Sequence, residues 1–246
     1  YTLPASATRE YTIGSMAQNL SFATSGNVTK TYGDGAFANA ATNDRADGSE
    51  VTYSSSDTSV AEVDAYGNVT IKGAGTATIT ASAVAVEGKY SEGTAEYTLK
   101  VDKKTLTAAD LEFTADSVFT KVYDGNNDCA TAKMQIKDSA KVNPDDIVPD
   151  VTGIYAYNSP NVKDACKVTF TSKETKTSNY ILPEGLIVEQ HNASITKANQ
   201  DPITITSTSA TYGTDLTLTV DGGSGNGALT YTVENGTGAA TIIDGI

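Results

Sequence analysis

Two stretches of this 246-residue chain match each other at the same spacing, and an internal repeat restricts the fold before any local propensity does. Val51-Thr52-Tyr53 opens a segment that closes at Asp64-Ala65-Tyr66-Gly67. Leu229-Thr230-Tyr231 opens another that closes at Ile243-Asp244-Gly245, and the Tyr-to-Gly distance is the same in both. Upstream, Thr31-Tyr32-Gly33-Asp34 answers Thr211-Tyr212-Gly213-Thr214-Asp215. Further up, the segment from Ala17 to Phe22 answers that from Asn199 to Ile205. Three landmarks in one order mean tandem modules of a single kind. Modules in series serve reach, spacing and adhesion more readily than chemistry.

Within the repeats the apolar period is two. Ala77, Ile79 and Ala81 alternate with threonines, Tyr97, Leu99 and Val101 alternate with Glu96, Thr98 and Lys100, and Leu216, Leu218 and Val220 alternate with Thr217 and Thr219. That is the pattern of antiparallel strands with one wet face, where Thr offers a branched side chain to the pleat and a hydroxyl to water. Turn clusters such as Asp47-Gly48, Tyr66-Gly67-Asn68 and Gly73-Ala74-Gly75 separate the runs, so the expected fold is all-β, with tandem antiparallel β-sandwich modules. Helix is expected only as a single turn near Thr107-Ala108-Ala109-Asp110.

The repeat also sets expected boundaries. Residues 17–102 form one module, 103–197 a second and 198–246 part of a third. Arg9-Glu10-Tyr11-Thr12-Ile13 echoes Ala95-Glu96-Tyr97-Thr98-Leu99, so residues 1–16 read as the tail strand of a preceding module. The joints Asp102-Lys103-Lys104 and Ile195-Thr196-Lys197-Ala198 are short and free of Gly and Pro, which predicts stiff coupling. The chain opens at Tyr1 with no signal-peptide pattern and shows no anchor, and is expected to be an excised region of a longer protein.

A net charge of −13 excludes a nucleic-acid partner, which needs clustered Lys and Arg, and disfavours anionic lipid. No apolar run approaches the ~20 residues of a membrane-crossing helix, so no membrane insertion is expected. His191 is the one histidine, no serine lies in a nucleophile elbow, and no zinc pattern is present, so neither catalytic residues, metal ligands nor a cofactor are expected. Asn43, Asp44, Asp47 and Glu50, and separately Asp145, Asp146 and Asp150, carry oxygen ligands that could suit calcium, against the plainer role of solvated turn acids. Tyr155 and Tyr157 lie two apart on one strand face, either as a platform for a sugar or as core. Tyr32, Tyr123 and Tyr212 recur at one place in each module and read as structural, followed by Gly33, Gly125 and Gly213 in turns that a Cβ would obstruct. Cys129 and Cys166, both in the middle module, read as a structural disulfide of a secreted protein, the alternative being two buried thiols. Such a bridge would contribute about 4 kcal/mol in the chain-entropy picture.

The stretch Val51 to Ala81, with Tyr53-Ser54-Ser55-Ser56-Asp57, Val60-Ala61-Glu62-Val63-Asp64 and Gly73-Ala74-Gly75-Thr76, resembles bacterial group 2 immunoglobulin-like domains. Lys121-Val122-Tyr123-Asp124-Gly125 with Asn179-Tyr180-Ile181-Leu182 resembles the YDG-type repeats of bacterial surface proteins. Ala198-Asn199-Gln200 with Thr211-Tyr212-Gly213 is similar to their YGX-type companions. The resemblance implies immunoglobulin-like sandwiches in a non-catalytic, adhesin-like protein on the bacterial cell surface or outside it. Such a protein would be a stalk or adhesion module, with a module binding host glycan or extracellular protein and the accessory region of a surface enzyme as rivals. Strand exchange with a neighbouring copy is a further expected association.

Overall fold

The computed structural model describes residues 11–207, 209–223, 228–234 and 237–242. Strands β1 (Leu20–Phe22), β2 (Gly26–Thr31), β3 (Phe37–Ala38), β4 (Ala41–Asn43), β5 (Thr52–Ser55), β6 (Ala61–Val63), β7 (Asn68–Ile71), β8 (Gly75–Ala83) and β9 (Gly93–Asp102) pair among themselves. A second group follows: β10 (Lys104–Thr105), β11 (Leu111–Phe113), β12 (Thr120–Val122), β13 (Met134–Ile136), β14 (Gly153–Tyr157), β15 (Lys167–Ser172), β16 (Thr175–Lys176), β17 (Tyr180–Leu182), β18 (Ile187–His191) and β19 (Ser194–Thr196). A last pair, β20 (Ile203–Ile205) and β21 (Val220–Gly222), forms a two-stranded sheet that joins no other strand among the described residues. Helix among the described residues is confined to short 3-10 turns, one of them Ala108–Asp110, where the sequence places a single turn.

In the first group the sheet β2-β9-β8-β5 faces the sheet β3-β7-β6, with β1-β4 closing one side. The period-two pattern explains the layering. Ala77, Ile79 and Ala81 of β8 and Tyr97, Leu99 and Val101 of β9 are each at most 3% exposed, while the intervening Thr and Lys face out. Ala61 and Val69 of the opposite sheet complete the core. One buried polar residue ties the edge of this sandwich together. Gln18 donates from Nε2 to the carbonyls of Val84 (2.8 Å) and Ser91 (2.9 Å), and its Oε1 accepts from Asn43 Nδ2 (2.9 Å) and Ser49 N (3.0 Å). Every bonding position of the amide is used, as burial demands.

Among the described residues pairing is mostly antiparallel, but three strand pairs are parallel: β2 with β9, β12 with β19, and β10 with β17. The first two put an early strand of each group alongside its last strand. The sequence pattern, which reports faces and not strand direction, carries no sign of this.

The stretch from 198 onward departs furthest from expectation. Leu216 and Leu218 lie outside any strand, and β21 begins only at Val220. Tyr231 is likewise outside a strand, and the closing mark Ile243 to Gly245 lies outside the described residues. Ile203 and Ile205 do form β20, in register with Gly222 and Val220 much as Leu20 and Phe22 of β1 meet Asn43 and Ala41 of β4. They remain 45% and 53% exposed, because among the described residues β20 and β21 have no second layer over them. At the other end Tyr11 and Ile13 are 82% and 90% exposed and belong to no strand, while Arg9 and Glu10 lie outside the described residues.

Replacing Gln18 by Ala should destabilise the first sandwich by about 2 kcal/mol, since two donors and two acceptors lose their partner. A urea titration showing no shift of midpoint for this variant would contradict the role given to the amide.

Candidate functional site at the joint between the strand groups

The most elaborate polar cluster lies where the first two groups meet. Thr31 ends β2, and the next residue, Tyr32, donates its N–H to the carbonyl of Asp102 at the end of β9 (2.8 Å). The Tyr32 ring therefore leaves the first group at the pole where the chain crosses to the second, and it is only 2% exposed. It meets Tyr180 of β17 edge to face, with ring centroids 5.6 Å apart. Asp146 binds both phenols: Tyr32 Oη donates to Oδ1 (2.8 Å) and Oδ2 (2.9 Å), and Tyr180 Oη donates to Oδ2 (2.5 Å). Asn143 gives its N–H to Asp146 Oδ2 (2.9 Å) and its side-chain Nδ2 to Tyr32 Oη (2.8 Å). The Val142 N–H donates to Tyr180 Oη (2.8 Å).

Glycine completes the contact. At Gly33 (φ +101°) a Cβ would stand 2.9 Å from the Val142 methyl, so the close approach of the second group needs this residue. Gly125 and Gly213 also have positive φ, +83° and +84°, but a Cβ there would meet no neighbour within 4 Å, so the obstruction expected of all three is found at Gly33 and not at these two. Around the tyrosines, Lys104 Nζ donates to the carbonyl of Ala140 (2.6 Å), Lys103 Nζ to that of Thr177 (2.6 Å), and Ala74 N to Asn179 Oδ1 (2.9 Å). Beneath lies a single apolar cluster that runs from Leu99 and Val101 through Tyr32 and Leu106 to Phe170, Tyr180 and Leu182. The short joint, Asp102 to Lys104, is itself half-buried beside this core.

Burial works against the charge of Asp146, but the bonds from Tyr180, the Asn143 backbone, Tyr32 and the Asn143 side chain together outweigh it and hold the carboxyl below its usual range. The same contact raises both phenols: Tyr180 and Tyr32 lose water on burial, and the carboxylate beside them resists a second negative charge.

The residues singled out in the sequence fall elsewhere. The bridge expected between Cys129 and Cys166 is not formed. Both thiols are free, Cys129 buried beside Tyr157 and Val168 with Sγ 3.7 Å from the Val118 carbonyl, and Cys166 exposed in a turn held by Asn158. One side chain faces the core and the other faces water, which is why they do not meet. Tyr157 is 1% exposed, and Tyr155 packs on Phe170 (4.9 Å between centroids), so this pair is core and not a sugar platform. Asp44 is bound by Asn19, and Asp47 by Tyr90 and Lys89, each held below its usual pKa by those bonds. Among the described residues no group of three or more His, Cys, Asp or Glu side chains is placed to hold a metal ion. His191 is exposed on β18, 3.8 Å from Glu189. A shallow groove of about 370 Å³ opens between Val28, Lys30, Phe37 and Asn39, with Lys30 Nζ 4.8 Å from the Phe37 ring centre.

Residues 33–85 match the family model described as the intimin immunoglobulin-like domain, and residues 102–187 match the YDG domain. An intimin-type immunoglobulin-like domain is followed by a YDG domain. No curated protein matches the sequence. Among solved structures, human protocadherin-24 EC1-2 is 14% identical over 73% of this chain and 99% of its own, with a TM-score of 0.32. Mouse cadherin-23 EC22-24 is 13% identical over 74% of this chain and 65% of its own, with a TM-score of 0.30. Immunoglobulin domains 1-5 of Sidekick-1 are 10% identical over 83% of this chain and 45% of their own, at 0.33. At these scores the likeness is loose.

Within the YDG domain, the Tyr123-Asp124-Gly125 turn is organised by Lys121, whose ammonium donates to Asp124 Oδ1 (2.7 Å), Asn126 Oδ1 (2.7 Å) and the Asn126 carbonyl (3.0 Å). The joint draws on a different part of that domain. Asn179 and Tyr180 belong to the stretch by which the YDG resemblance is recognised, whereas Asn143 and Val142 carry no sequence signal. Asp146 is visible in the sequence only as one of several acids.

Two outcomes test this geometry. Because the folded pKa of Asp146 lies below its ordinary value of 3.8, its contribution to stability is complete above that pH and is lost as pH falls through the folded value. Asp146→Asn should therefore be less stable than the parent by about 2 kcal/mol at neutral pH, a gap that closes in acid. Denaturant titrations at several pH values measure it. For the cysteines, a thiol reagent should label Cys166 at once in the native protein and Cys129 only after unfolding. Absence of both thiols from the unfolded, unreduced chain would restore the bridge.

Proposed function

We propose that the chain is a non-catalytic repeat region of a bacterial cell-surface adhesin-like protein, acting as a stalk or spacer that fixes the direction as well as the distance between what lies on either side. An immunoglobulin-like domain followed by a YDG domain is the make-up of a surface, adhesion-type extracellular region, and modules of these kinds are typically non-catalytic. The observation that carries the stalk reading is the joint. Tyr32, Asp146 and Tyr180 join two modules over a continuous core, where freely jointed modules would share no such contact. We divide the chain accordingly into 17–102, 103–197 and 198–246, with 1–16 as the tail of a preceding module. The partner of the whole is an extracellular one, a host glycan or protein, engaged outside the joint.

Small-angle scattering tests this. The parent chain should fit a single fixed arrangement of the first two modules, while Tyr32→Ala combined with Asp146→Ala should need an ensemble of angles with both modules still folded. An unchanged profile for the double variant would remove the basis for a stiff stalk. Glycan and matrix-protein arrays should show no binding that maps to residues 17–197; such binding would favour a ligand-binding module instead.

A further inference from the structure

We propose that Tyr123 is a second docking plug, which seats the segment following Lys197 of the same chain in the way Tyr32 seats the YDG domain. The inference rests on the stalk reading and names the surface by which it propagates. Its basis is a repeat in the structure itself. Tyr32 follows the last residue of β2, and β2 runs parallel to β9, the final strand of its group. Tyr123 follows the last residue of β12, and β12 runs parallel to β19, the final strand of its own. Thr31 stands opposite Asp102, and Val122 opposite Thr196. The anchoring bond is the same in kind and length: Tyr32 N–H to the Asp102 carbonyl and Tyr123 N–H to the Thr196 carbonyl, both 2.8 Å. Each tyrosine therefore leaves its module at the pole from which the chain continues.

The surroundings of the two differ in one respect. Tyr32 is 2% exposed under Asp146, Asn143 and Tyr180, whereas Tyr123 is 45% exposed and its neighbour Val122 59%. A half-exposed ring beside an exposed valine, at the position where its counterpart is the centre of an interface, marks the second half of the same kind of contact. Connectivity names the occupant. The chain leaves β19 at Thr196 and reaches residue 198 after Lys197 alone, as it leaves β9 at Asp102 and reaches β10 after Lys103 alone. Chemistry agrees. From 198 onward the sequence holds neither Lys nor Arg, and Asp215, Asp221 and Glu234 are exposed among the described residues, so a phenol would find carboxylate acceptors there, as Tyr32 finds Asp146. The apolar Ile203 and Ile205, exposed on β20, supply the surface that the ring and Val122 would cover.

Limited nitration of the whole chain, read by peptide mass, decides the matter, with Tyr66 (79% exposed) as the internal reference. Tyr123 should react an order of magnitude more slowly than Tyr66 at every protein concentration. In Tyr123→Ala, hydrogen exchange across residues 203–222 should quicken, and Tyr123→Phe should fall between the two. Tyr123 reacting as fast as Tyr66, with exchange unchanged in both variants, would overturn the proposal. Protection of Tyr123 that grows with protein concentration would also overturn it, since the occupant would then be a second copy. Either failure, with the first joint still stiff by scattering, leaves the stalk reading intact.

Discussion

The arrangement of the first two modules depends on one ionised carboxylate shared by two phenols. A half-buried charge is costly unless its lone pairs are filled, and Asp146 fills them from both sides of the joint, with Tyr32 from one module and Tyr180 and Asn143 from the other. Because donors come from two modules, neither can swing away without stranding the charge. Directional bonds of this kind add what an apolar contact alone lacks, a single preferred orientation.

The core beneath reinforces the same constraint. A continuous apolar cluster passes through Tyr32, Leu106 and Tyr180, whereas a separate and smaller cluster of Cys129, Tyr157, Val168 and Ile195 lies apart from it in the second module. The YDG domain thus has two centres of packing, one shared with its predecessor and one its own. Loss of the shared one would leave the second module with the weaker of its two cores.

The sandwich was legible in the sequence because alternation in β8 and β9 translates directly into faces, and the single turn at Ala108 was legible because Thr107 and Asp110 cap each other. The place and shortness of the first joint were legible in Asp102-Lys103-Lys104, which leads from β9 into β10. Its chemistry was not, since the socket is assembled from Asn143, Asp146 and Tyr180, brought together only by the fold of the second module. Parallel pairing was equally hidden, for faces repeat every second residue whichever way a strand runs. The cysteine pair misled for a related reason: spacing in sequence gives loop length but not the direction in which each side chain points. At Leu216 and Leu218 the alternation is as clean as in β9, yet no strand forms, because a strand needs a partner surface as much as a pattern.

Parallel placement of an early and a final strand has a mechanical consequence. In the first module the N-terminal end of β2 and the C-terminal end of β9 lie at opposite poles, with six residue pairs from Gly26 opposite Tyr97 to Thr31 opposite Asp102 between them. Tension drawn along the chain therefore slides these strands past one another and loads all of their hydrogen bonds together. An antiparallel pair at the same place would open one bond at a time, like a zip. A module drawn from its two ends gains resistance from this geometry without any gain in equilibrium stability.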